Sequence, residues 1–154
     1  MRVEIYTDGA SRGNPGPGGY GAILLAGPHR KELSQGYRLT TNNRMELLAV
    51  IKSLEAMKRD GLEITITSDS KYVVDAVEKG WVFNWQKKGW KGKKNIDLWK
   101  RFLQLYPKHK IRFKWIKGHN QHPLNERCDE LAVEAALGSD LLPDEGYEKE
   151  EGLI

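Results

Sequence analysis

The stretch RVEIYTDGASRGNPGPGGY, residues 2–20, decides how the chain is read. Val3, Ile5 and Thr7 alternate with Arg2, Glu4 and Tyr6, the period of two that belongs to a strand. The alternation stops at Asp8 and Gly9, and Gly13, Pro15, Gly16, Pro17, Gly18 and Gly19 follow. Neither a helix nor a central strand is expected to tolerate that density of breakers. The segment therefore reads as a loop into a second strand near Tyr20–Ala26. A turn around residues 27–30 and a strand-like run over 31–39 supply a third strand, so the three are expected as an antiparallel meander.

Beyond the meander the period lengthens. Thr40, Thr41 and Asn42 offer N-cap side chains to a long helix from about Asn43 to Arg59, with Leu47, Leu48, Val50, Ile51, Leu54 and Met57 on its apolar face and Gly61 as its stop. Glu63–Thr67 reads as a strand, followed by Asp69 and a helix through Val73, Val74 and Val77 to Gly80. A further helix starts at Asn95 or Asp97 and runs to Leu105, residues 110–116 alternate as a fifth strand, and a last helix spans about 124–137. That order predicts an α/β fold: a five-stranded mixed sheet, three antiparallel strands plus two parallel, flanked by helices on right-handed crossovers.

A chain of 154 residues with 39% hydrophobic residues has enough for one core and too little for two. One domain is expected over residues 1–137. Residues 138–154 hold six acids against Lys149 alone and read by default as a solvated acidic tail of net charge −5, with folding back onto the body or electrostatic competition with substrate as its alternatives; this leaves +9 on residues 1–137 out of the overall +4. A body so basic suggests a polyanionic partner, although many basic proteins bind none. Cys128 is the single cysteine, which excludes an internal disulfide and a zinc finger and suits a reducing compartment. With no apolar run near the roughly 18 residues of a membrane span and no signal-like start, the chain is expected to be cytoplasmic, without a membrane partner and monomeric.

Four acids stand out by position. Asp8 and Asp69 each follow a strand, and if those strands are parallel neighbours both carboxylates emerge at one rim, the rim where ligands bind in such sheets. Glu46 shares a helix face with Ala49, Val50 and Leu54, and Asp129 one with Ala132, Val133 and Ala136. Each also has an ordinary reading, as turn former, cap or dipole partner. Convergence would separate the readings, because four gathered acids repel unless cations neutralise them. An all-oxygen cluster suits magnesium or manganese, and two such ions about 4 Å apart can serve an in-line displacement at phosphorus.

YTDGASRGNPGPGGYGAI (6–23), TTNNRMEL (40–47), TSDSKYV (67–73), GWVFNWQKKGWK (80–91) with NIDLW (95–99), and WIKGHNQHPLNERCDELA (115–132) together resemble the bacterial-type ribonuclease H type 1 family, in order and over nearly the whole chain to about residue 137. The resemblance implies the ribonuclease H-like fold and an endonuclease that cuts the RNA strand of an RNA/DNA hybrid, leaving 5′-phosphate and 3′-hydroxyl ends. It implies two magnesium ions, with manganese as a substitute, held by Asp8, Glu46, Asp69 and Asp129. It makes His119 a mobile proton carrier. A plain surface histidine is the ordinary reading of that position, and His119 with His122 has no further soft ligand nearby to make a zinc site.

The resemblance also implies how a hybrid is held. Gly9, Ala10, Asn14, Asn42 and Asn43 would face the minor groove, where 2′-hydroxyls mark the RNA strand, and Thr41 and Asn95 would hold a DNA phosphate. Six lysines and three tryptophans lie between Lys79 and Lys94 with no acid. Trp81, Trp85, Lys87, Lys88 and Trp90 would grip the DNA strand from there, although at least one of these rings has an alternative place in the core. The glycine-rich loop is not a P-loop, because it lacks the Gly-Lys-Ser/Thr ending and leads to a strand. Two positions depart from the family's pattern: Leu39 stands where an arginine flanks the phosphate site, with Arg38 as the nearest substitute, and Lys71 replaces a glutamine near the substrate. A related polynucleotidyl transferase would not need the asparagine set. A non-catalytic hybrid-binding module, the reading from another class, would gain nothing from four clustered acids.

Overall fold

Val3, Ile5 and Thr7 turn to one side of the first strand and all three are buried, as their alternation predicts. In the computed structural model, which describes residues 1–118 and 121–154, that strand is β1 (Arg2–Ser11). It pairs with β2 (Gly16–Ala26), and β2 with β3 (His29–Thr40), giving the antiparallel meander. On its other edge β1 pairs in parallel with β4 (Glu63–Ser68), and β4 with β5 (Lys110–Trp115). A short sixth strand, β6 (Leu141–Leu142), runs parallel to β3 and completes the order β5-β4-β1-β2-β3-β6.

The boundaries of β1 and β2 differ from the sequence reading. β1 does not stop at Thr7, because Asp8 through Ser11 lose β4 as a neighbour and keep β2. β2 starts at Gly16 instead of Tyr20, so the breaker-rich segment is partly a central strand. Its glycines are there for helix packing: at Gly19 and Gly21 a Cβ would run into the carbonyl oxygens of Ala132 and Cys128. Pro17 needs no ladder donor, since the register shifts between Gly16 and Gly18.

Helix α1 (Asn42–Glu55) is capped by Thr41, whose side chain accepts from the Arg44 N–H, and packs its buried face over the sheet. It ends at Glu55, short of the expected Arg59, and the Gly61 N–H then binds the Lys108 carbonyl at the entry to β4. On the same side lie α2 (Lys71–Glu78), α3 (Trp81–Lys87) and α4 (Ile96–Leu105), which share the main core through Val73, Val77, Val82, Trp99 and Phe102. Helix α5 (Pro123–Leu137) covers the opposite face, where Cys128 and Leu131 pack with Ile23. Among the described residues no helix is long and apolar enough to cross a membrane.

After Leu137 the described chain takes the fold-back alternative instead of the default solvated end. Past β6, Asp144 caps α6 (Glu145–Glu150), and both Asp144 and Glu148 are buried. Asp144 receives the Thr40 hydroxyl at 2.7 Å and Arg44 through Nε at 2.8 Å and Nη2 at 2.9 Å. Arg44 also donates in parallel to Asp97 at 2.8 and 2.7 Å, while Glu148 takes Arg38 in a bidentate pair. Counting charge along the sequence treats every acid as solvated, whereas here two of six are neutralised by arginines. Arg44 is 1% exposed, so removing it strands Asp144 without its cation. Arg44→Ala is expected to lower the unfolding free energy by roughly 3–5 kcal/mol in urea titrations; a loss under about 1 kcal/mol would contradict this account of how the C-terminal segment is held.

Candidate metal centre

Thr7 pairs with Ser68 in the last rung between β1 and β4, so Asp8 and Asp69 are the next residue on each strand. This is the shared rim that the sequence anticipates. Glu46 arrives from above because α1 lies directly on Gly9, where a Cβ would collide with the backbone of Met45 and Glu46. Asp8, Glu46 and Asp69 each place a carboxylate oxygen within 4.8 Å of the others. Asp8 is 5% and Glu46 6% exposed, and Asp69 is half-buried.

Asp129 comes from α5 on the opposite face. Its charge reaches Asp8, but its carboxylate is not among the three that lie within that distance. The remaining predicted acid, base or proton carrier, His119, lies outside the described residues.

The cluster carries few compensating contacts. Asp8 Oδ1 accepts the Gly9 N–H at 2.8 Å, while Glu46 Oε1 is buried without a hydrogen-bond partner among the described residues. Burial and the neighbouring Asp69 push Asp8 up to about 8. Burial, then Asp8 and Asp69, hold Glu46 well above the usual carboxylate range. An orphaned carboxylate oxygen beside two more carboxylates fits a hard divalent cation: the donors are all oxygen, the charge is negative, and no thiolate or amine competes.

Around the centre, Asn14 Oδ1 accepts the Asn42 N–H at 3.1 Å, which ties the loop after β1 to the start of α1. Gly9, Ala10, Asn14, Thr41, Asn42 and Asn43 thus form one neighbourhood beside Glu46. Asn95 stands at the start of α4 and donates to the Tyr72 hydroxyl, and the Arg44–Asp97 pair links that end of α4 to the start of α1. The three tryptophans divide. Trp81 is 44% exposed, Trp85 is half-buried edge-on against Trp99, and Trp90 is in the core. Lys87, Lys88, Lys91, Lys93 and Lys94 stay exposed around them. Arg38, the expected substitute for the arginine that Leu39 replaces, is paired with Glu148.

Sequence reading missed Arg44, yet a signal was present: an arginine in the first turn of a helix opposes the helix dipole and therefore needs acids close by. It also missed Trp115, whose indole N–H donates to the Asp69 carbonyl.

Compared with known proteins, residues 1–137 match the sequence model of the RNase H family. The chain is 56% identical to a protein named ribonuclease H from Syntrophus aciditrophicus (strain SB), over 95% of this chain and 87% of that one. Among solved structures it is similar to LC9-RNase H1, a type 1 RNase H with the type 2 active-site motif, with a TM-score of 0.80 and 34% identity over 96% of this chain and 79% of that one. It is also similar to LC11-RNase H1 in complex with an RNA/DNA hybrid, with a TM-score of 0.69 and 27% identity over 87% and 96%.

The shifted carboxylates set a pH dependence. Asp8 keeps its proton to higher pH in the folded chain than in the unfolded one, where it titrates near 3.8. The folded state binds more protons between about 4 and 8, so the metal-free protein loses stability as pH rises through that window. Asp8→Asn is expected to flatten the fall and to add on the order of 2 kcal/mol near pH 8, measured by urea unfolding with chelator at pH 5 and 8. A variant less stable than the parent at pH 8 would show that these charges are not in conflict.

Proposed function

This chain belongs to the ribonuclease H family, and on that premise we propose that it hydrolyses the RNA strand of RNA/DNA hybrids using two divalent ions held by Asp8, Glu46, Asp69 and Asp129. The observation that carries the proposal is the gathering of buried Asp8 and Glu46 with half-buried Asp69, with Glu46 Oε1 unsatisfied among the described residues. Acids left together in this way have no stabilising reason in the apo fold, and a site for cations supplies one. Magnesium fits the donor set, as does manganese. When bound, such ions activate a water and neutralise the oxygen that leaves phosphorus.

The protein's own groups do the rest. Asp8 and Glu46, held buried, offer fixed oxygens instead of mobile ones, and Asp129 adds its charge from the α5 side. The neighbourhood of Asn14, Asn42, Asn43 and the Gly9–Ala10 backbone presents donors and acceptors suited to 2′-hydroxyls of the RNA strand. Thr41 and Asn95 would take a phosphate of the DNA strand. Trp81 with Lys87 and Lys88 gives an exposed ring and cations suited to a nucleic-acid backbone, whereas Trp85 and Trp90 contribute chiefly by fixing the segment that bears them. His119 would carry the proton to or from the reacting oxygens. Water adds to phosphorus and the bond to the 3′ oxygen breaks, so the products carry a 3′-hydroxyl and a 5′-phosphate. The hybrid complex of the similar LC11-RNase H1 supports the choice of substrate.

End-labelled hybrid, single-stranded RNA, RNA duplex and DNA duplex are incubated with magnesium or with chelator. Cutting confined to the RNA strand of the hybrid is expected, lost with chelator and reduced at least roughly 10³-fold in kcat by Asp69→Asn, with hybrid binding retained. Tight binding without any product under magnesium and manganese would replace the enzyme by a binding module. His119→Ala is expected to slow turnover without silencing it; a folded but fully inactive variant would give His119 more than a carrier's role.

A further inference from the structure

Asp69 is the least buried of the three gathered carboxylates, and the end of β5 closes around it. The Trp115 indole Nε1–H donates to the Asp69 carbonyl oxygen at 3.0 Å. One residue on, the Ile116 N–H donates to the Ser68 carbonyl at 3.0 Å. Gly118 then passes so near that a Cβ there would stand 2.6 Å from Asp69 Oδ2. Backbone on one side and carboxylate on the other are thus both set by residues 115–118.

Trp115 is 42% exposed, so burial alone does not hold its ring. Lys71, two residues after Asp69, places its Nζ 4.8 Å from the indole centroid. An ammonium over an indole face is attracted by the ring quadrupole, and the contact steadies the ring whose N–H meets Asp69. It also gives Lys71 a task that does not need a direct contact with substrate.

We propose that Trp115, Gly118 and Lys71 are positioning residues that aim the Asp69 carboxylate at the metal site. Trp115 fixes the Asp69 backbone, Gly118, lacking a Cβ, leaves the space in which Asp69 Oδ2 lies, and Lys71 holds the indole. The need for such a clasp follows from exposure: Asp69 is half-buried at a strand end, where its side chain is free to swing toward water and away from Asp8 and Glu46. The proposal rests on the metal-centre reading given above. Groups around ligands act by orienting them, and losing one typically weakens metal binding by roughly tenfold or more. Here the Trp115 contact is one step removed, through the backbone.

The test is calorimetric titration of manganese alone into the full chain freed of metal, beside melting curves and hybrid binding in chelator. Trp115→Phe keeps a ring for Lys71 and loses the donor. It is expected to weaken manganese binding about 3–10-fold, while the melting temperature of the metal-free protein moves by less than about 2 °C and hybrid binding in chelator is unchanged. Gly118→Ala should weaken manganese binding at least as much, by pressing on Oδ2. Lys71→Met should weaken it less, and not at all once Trp115 is Leu, because its effect passes through the ring. Unchanged manganese affinity in both Trp115→Phe and Gly118→Ala, with wild-type binding intact, overturns the clasp and leaves the metal centre standing. A wild-type chain that binds no manganese overturns the metal reading itself and the clasp with it.

Discussion

The close approach of two helices to the two faces of the sheet, made possible where side chains are missing, governs everything else in this protein. At Gly9 the first turn of α1 lies on the backbone of β1, in the space that a Cβ would fill. Across the ladder Asp8 pairs with Gly21, and over Gly21 passes the Cys128 carbonyl of α5. The helix residues at these contacts are Glu46 itself and the neighbour of Asp129. One glycine on each side therefore brings an acid from each layer toward Asp8. An alanine at either place would force the helix outward or tilt it, and a carboxylate cluster has no tolerance for an ångström of added separation around a small cation.

The same fold buries acids in two opposite ways, and the contrast separates structure from chemistry. Asp144 and Glu148 are buried beside Arg44 and Arg38. Asp97, more exposed, is partly desolvated, yet its hydrogen bonds from Arg44 hold it below the usual carboxylate range. Asp8 and Glu46 are buried beside other acids and move upward. Acids of the first kind complete the fold without help. Acids of the second kind cost stability in the free protein, and folding tolerates them because the arginine pairs and a large core on the α1 side outweigh the penalty.

How much of this was legible in the sequence depended on whether a signal was local. The alternation of Val3, Ile5 and Thr7, the Thr41 cap and the acid after each parallel strand are local, and each led to the right element or rim. The start of β2 was misread because glycine and proline were taken as breakers, whereas Gly19 and Gly21 are spaces for α5, a partner more than a hundred residues away. The C-terminal segment was left between a solvated end and a fold-back for a similar reason: Asp144 is one more acid until Arg44, a hundred positions earlier, is known to face it. The spacing that suggested Glu46 and Asp129 placed them on inward helix faces, but the distance of Asp129 from the other three could come only from how α5 sits on the sheet.

The distribution of charge follows from these two kinds of burial. A surface that receives phosphates needs cations, yet lysines set among Asp8, Glu46 and Asp69 would neutralise the acids that a metal requires. The lysines of residues 87–94 sit instead on a segment braced by Trp90 in the core and by Trp85 against Trp99, so the core holds the backbone that bears them. Tryptophan there serves two purposes in one run: inward rings fix the backbone, and Trp81 stays outside beside Lys79. Read as sequence, three tryptophans among lysines look alike. Read as structure, the buried ones are why the exposed charges have a defined place to be.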